Sequence, residues 1–114
     1  MLISYSDMIY DFMRLILFFD LPMVSKKDVR IYNKFRKYLI KGGYMMMQYS
    51  VYSKIFNNRD AARNHVDMLK RNVPSAGQIR IMVVTETQYK KMEIIVGGMS
   101  KQESLVNEQA MLVL

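Results

Sequence analysis

Arg14-Leu-Ile-Leu-Phe-Phe-Asp20-Leu-Pro22 is the stretch on which the fold turns. Six residues of strand-forming character, nearly all apolar, run into a carboxylate, and Pro22 stops any continuation. A run apolar on both faces suits a central, doubly covered strand, with Asp20 where that strand reaches the surface. Asp at such a position is also common as a turn residue or helix cap, so the residues beyond Pro22 decide the reading.

After Pro22 comes the clearest helix. Ser25-Lys26-Lys27-Asp28 has the spacing of a capping box, and Gly42-Gly43 supplies a permissive stop, which together predict a helix to about Lys41. Ile31, Phe35, Tyr38 and Leu39 are its expected apolar face. Lys26, Arg30, Lys34, Lys37 and Lys41 recur at helical spacing along another. Period-two alternation then runs from Tyr44 to Phe56, and 13 residues are too many for one ordinary strand of about 3–10. Two antiparallel strands breaking near Ser50 or Val51 are the expectation.

Asn58 caps a second predicted helix running to about Asn72, with Ala62, Val66, Leu69 and Val73 inward. Gly77 opens a strand with Ile79, Ile81 and Val83 on one side and Arg80, Met82 and Val84 on the other. Glu93 to Val96 reads as one more short strand, ended by Gly97-Gly98. Strand, helix, strand, strand, helix, strand is an α+β, ferredoxin-like βαββαβ order with an extra C-terminal edge strand. The division is an N-terminal extension at 1–12, one domain at 13–98 and a tail at 99–114 that docks through Met111 to Leu114. The extension need not be native, since Met13 is an equally good start.

The 114 residues suffice for one domain, and small size makes self-association attractive. Seventeen Lys and Arg against 10 Asp and Glu give a formal net charge of +7, which points to an anionic partner, nucleic acid first. With no cysteine there is no thiolate nucleophile or thiolate metal site. No apolar run approaches the ~20 residues of a membrane span, so a cytoplasmic protein without a membrane partner is expected.

Further cations, Arg59, Arg63, Lys70 and Arg71, fall on the second helix. Two basic helices make a phosphate-binding surface with no base-reading requirement. Asp20 is a hard-oxygen donor for a divalent cation, but one carboxylate is too few for Mg²⁺ hydrolysis of phosphodiesters, and a two-fold dimer would bring two together. His65, the one histidine, borders the apolar face of the second helix and reads as a packing or solvent residue rather than a catalytic one. Twelve methionines, Met45 to Met47 among them, read as adaptable packing.

Arg14 to Pro22, the basic helix, Gln48-Tyr49-Ser50-Val51-Tyr52 and the strand from Ile79 to Thr85 together resemble the Cas-two family of CRISPR-associated proteins, over roughly Met13 to Val96. The likeness is to the smaller subunit found beside the RNA-guided DNA nuclease of type II systems. It implies a ferredoxin-like homodimer that bridges dimers of the Cas-one integrase and holds duplex DNA during spacer acquisition. As the alternative it implies a Mg²⁺-dependent endonuclease, acting on DNA or RNA, with Asp20, paired across the dimer, as catalytic residue and metal ligand. A toxin-like ribonuclease on the same fold is a third reading. The nucleic-acid-binding set expected on the main reading is Arg14, Lys26, Lys27, Arg30, Lys34, Lys37, Lys41, Arg59, Arg63 and Arg80.

Overall fold

A computed structural model describes residues 12–98. Within them the order is β1 (Met13–Asp20), α1 (Lys26–Lys41), β2 (Met45–Gln48), β3 (Val51–Phe56), α2 (Arg59–Lys70), β4 (Gln78–Thr85) and a short α3 (Glu86–Lys90). The four strands form one antiparallel sheet in the order β2-β3-β1-β4. That is the split βαβ arrangement of the ferredoxin-like fold, with the most apolar strand at an interior position.

The boundaries follow from local chemistry. Ser25 accepts a hydrogen bond from the Asp28 amide at 3.0 Å, and the Asp28 carboxylate accepts from the Ser25 amide at 3.1 Å, closing the capping box of α1. Asn58 caps α2 by accepting from the Ala61 amide at 2.8 Å. The β2–β3 break falls at Tyr49-Ser50, where Ser50 takes the left-handed conformation (φ 61°) that short hairpin turns require.

Both long helices cover the same side of the sheet. Leu15, Leu17, Phe19 and Tyr52 on the sheet meet Tyr32, Phe35 and Leu39 of α1 and Val66 and Leu69 of α2. Phe19 is the hub, with ring centroids 5.4–5.7 Å from Tyr32, Phe35 and Tyr52. Each such side chain contributes on the order of 1.5–3 kcal/mol of burial. The buried face of α1 is therefore rotated slightly from the expected one, with Tyr32 fully inside and Ile31 half-buried.

One expected element does not form. Glu93 to Val96 pairs with no strand among the described residues, and Ile95 and Val96 are 92% and 90% exposed. The reason lies upstream, in a capping box at Thr85 and Gln88 that turns the chain straight from β4 into α3. The Glu86 amide then ties this turn to the Phe12 carbonyl at 2.9 Å. The expected docking strand at Met111 to Leu114 and almost all of the N-terminal extension lie outside the described residues.

Candidate nucleic-acid interface and the Asp20 hollow

On α1 the five cations Lys26, Arg30, Lys34, Lys37 and Lys41 are all exposed. At about 100° per residue they form a stripe roughly half a turn from Tyr32, Phe35 and Leu39, so they point away from the sheet. Lys27 is also exposed, on the flank of this stripe. Arg30, Lys34, Lys37 and Lys41 line a shallow groove of about 710 Å³ together with Asn33 and Tyr38.

A second cleft, of about 450 Å³, lies between α1 and the α2–β4 connection, where Lys34 and Tyr38 face Arg71, Asn72 and Ser75. It extends the positive surface from α1 to the C-terminal end of α2. Arg59, Arg63 and Lys70 are exposed along one flank of α2, beside the buried Ala62, Val66 and Leu69. Arg71, which caps the helix, joins this surface without belonging to the expected binding set, although the sequence does place a cation there.

Arg14 does not belong with them. Its side chain is wholly buried and forms a two-pronged ion pair with Glu86, at 2.5 and 3.0 Å, while its guanidinium lies 3.9 Å from the centre of the Tyr89 ring. A cation held this way is not presented to a phosphate. Sequence reasoning misses the pairing because Glu86 is 72 residues away on an unforeseen helix.

Asp20 ends β1 on the sheet face opposite the helices and is exposed. It is paired across to Gln78, which makes Arg80 its diagonal neighbour on the same face. Asp20, Gln78 and Arg80 line one hollow of about 200 Å³ with Phe18, Ser50 and Val51. The Phe19 amide donates to the Ser50 carbonyl at 3.1 Å, which fixes the hairpin turn beside it. Gly77 makes the approach possible, because at φ 80° a Cβ there would collide with the Asp20 carbonyl oxygen.

Within one chain these residues do not fit a Mg²⁺ site. The hollow holds one carboxylate and one cation, and no group of three or more His, Cys, Asp or Glu among the described residues is placed to share a metal ion.

A third polar cluster sits beyond the C-terminal end of α1. Lys54 donates to the Gly42 carbonyl, and its ammonium lies 5.7 Å from the centre of the Phe56 ring. Tyr44 and His65 share a hydrogen bond of 2.8 Å, and the imidazole packs 5.0 Å from Phe56. Burial holds the Lys54 ammonium below its ordinary pKa and pushes the Tyr44 hydroxyl up. Burial first, and the Lys54 charge second, hold His65 below the usual imidazole value. Of the packing and solvent roles expected for His65, the structure shows packing, against Tyr44 and Phe56.

A family model described as CRISPR associated protein Cas2 matches residues 13–92. The chain belongs to the Cas2 family. A protein of Acidovorax ebreus named CRISPR-associated endoribonuclease Cas2 is 48% identical to this Cas2-family chain over 95 residues, or 83% of this chain and 93% of the relative. A Treponema denticola protein of the same name is 45% identical over 102 residues, 90% of this chain and all of the relative. A solved Cas2 crystal structure superposes with a TM-score of 0.52 at 22% identity, covering 79% of this chain and 91% of the other, and supports the fold. No helix among the described residues is long and apolar enough to cross a membrane.

Proposed function

We propose that this Cas2-family chain holds nucleic acid by its phosphates along α1 and acts on it as an endonuclease at the Asp20 end of β1. The observation that carries the reading is an exposed carboxylate at the end of an interior strand, in one hollow with Arg80. The relatives' name, endoribonuclease, supports RNA as the substrate class.

A homodimer belongs to the same proposal. Phe18 and Met82 are 39% and 51% exposed on the sheet face that carries Asp20, and a second copy covering that face would bring two Asp20 carboxylates toward one Mg²⁺. Even so the site is ligand-poor, so the expected rate is low.

The test is cleavage of end-labelled single-stranded RNA with Mg²⁺ or with EDTA, by the wild type and Asp20→Asn. Cleavage should need the ion and disappear in the variant, with binding retained. Equal cleavage by both proteins would remove Asp20 from the reaction.

A second reading is a duplex-DNA-binding subunit that bridges the Cas-one integrase during spacer acquisition. The specific support is the outward cation stripe, whose five exposed members suit phosphate contact without base reading. The relatives' names lean toward the nuclease instead. Asp20→Asn separates the two, because spacer integration in cells survives the substitution on the bridging reading alone.

A further inference from the structure

Tyr49 is a large ring placed where few rings are found. It occupies the apex of the β2–β3 turn beside Ser50 and is 71% exposed. Burying it elsewhere would be favourable, yet it stands outside the core, stacked on Tyr32 with centroids 6.2 Å apart and planes inclined by 24°. Tyr32 in turn packs 5.5 Å from Phe19, the hub of the core. Three rings thus form a column from the interior to the surface, with Tyr49 as its outermost member. Burial first, and the neighbouring Tyr49 hydroxyl second, hold the Tyr32 hydroxyl above its ordinary pKa, in keeping with a close pair.

The ring's surroundings are equally specific. Ser50, next in sequence, lines the hollow that contains Asp20, Gln78 and Arg80, and the Phe19–Ser50 backbone hydrogen bond joins turn to strand end. A held aromatic surface, a cation and the candidate reacting carboxylate therefore share one end of the molecule. Backbone phosphates alone would need only the cation. An aromatic face at the same end, on the helix side of the sheet where Tyr32 lies, matches a ligand that alternates phosphate with flat, unpaired rings and turns around the end of the sheet.

We propose that Tyr49 is a base-stacking residue, taking an unpaired nucleobase of single-stranded nucleic acid onto its ring while the same strand turns around the end of the sheet toward Arg80. The inference rests on the nucleic-acid reading above and deepens it, because it makes the ligand at the Asp20 end single-stranded. A paired base inside a duplex has both faces covered and gains nothing from the ring.

The experiment compares the wild type, Tyr49→Ala and Tyr49→Phe by fluorescence anisotropy on three labelled probes. They are a short oligothymidylate, an abasic oligomer with the same phosphates, and a blunt duplex of the same length. The wild type should prefer the oligothymidylate to the abasic probe by roughly 5- to 150-fold, the span of one stacked base. Tyr49→Ala should lose that preference, Tyr49→Phe should keep it, and duplex affinity should stay the same in all three. A wild type that binds both single-stranded probes equally overturns the stacking role and leaves phosphate binding standing. Equal weakening of Tyr49→Ala on every probe also overturns it. A wild type that binds none of the probes overturns the stacking role, and one that also fails to bind an oligouridylate of the same length overturns the nucleic-acid reading.

Discussion

Burial changes what a charged side chain can do, and Arg14 is the clearest case. Its pairing with Glu86 holds α3 against the sheet and takes the guanidinium out of solvent. Removing one partner strands the other charge. Glu86→Gln should therefore cost about 3–5 kcal/mol in urea unfolding, and exchanging both for apolar residues of similar volume should cost much less. Nucleic-acid affinity measured on the folded fraction should not change. His65 carries a second prediction. Its folded-state pKa lies below the unfolded value of about 6.5, so the stability it supports is intact above that pH and is lost as the pH falls through the folded-state value. The urea midpoint should drop between pH 7.5 and pH 5.5 in the wild type and drop less in His65→Gln, and matching profiles would refute the assignment. The sequence places Asp20 at a strand end correctly, because strand pattern and proline are local signals. It cannot separate Arg14 from the other cations, because its partner is chosen by the tertiary fold.

The same divide holds for elements. Ser25, Asp28, Asn58 and the apolar periodicity make both long helices legible, since caps and faces are written within a few residues. The hairpin break is only half legible, because Ser50 adopts a left-handed turn conformation without the usual Gly or Asn. The extra strand fails for a related reason. Glu93 to Val96 has strand-forming residues, but Thr85 and Gln88 cap a helix first and lead the chain off β4. Thr85-Glu86-Thr87-Gln88 carries a capping-box signal that the sequence reading does not use. Gly77 shows an element boundary placing a functional group. Gly77→Ala puts a methyl against the Asp20 carbonyl and strains a positive φ, so it should destabilise the fold by about 1–3 kcal/mol, read as a lowered Tm.

At the scale of the molecule, charge is sorted by face. The five stripe cations of α1 point away from the sheet, whereas Asp20, Arg80, Phe18 and Met82 share the face opposite the helices. The proposed dimer, closed over that outer sheet face, would leave both α1 stripes free for phosphates, so that stripe and the Asp20 site can be tested separately. Lys34 and Lys37 test the separation because both line the α1 groove, and Lys34 also lines the cleft toward Arg71. Exchanging both for Glu should weaken binding alike across unrelated sequences. The dependence of log K on log salt should flatten by about 0.9 for each duplex phosphate that the variant no longer neutralises, or about 0.7 on a single strand. The preference of Tyr49 for bases over abasic sugar should persist at the reduced affinity, since the ring lies at the Asp20 end and not on the stripe. A double variant that keeps the wild-type salt slope would place the phosphates elsewhere, on the α2 flank of Arg59, Arg63 and Lys70.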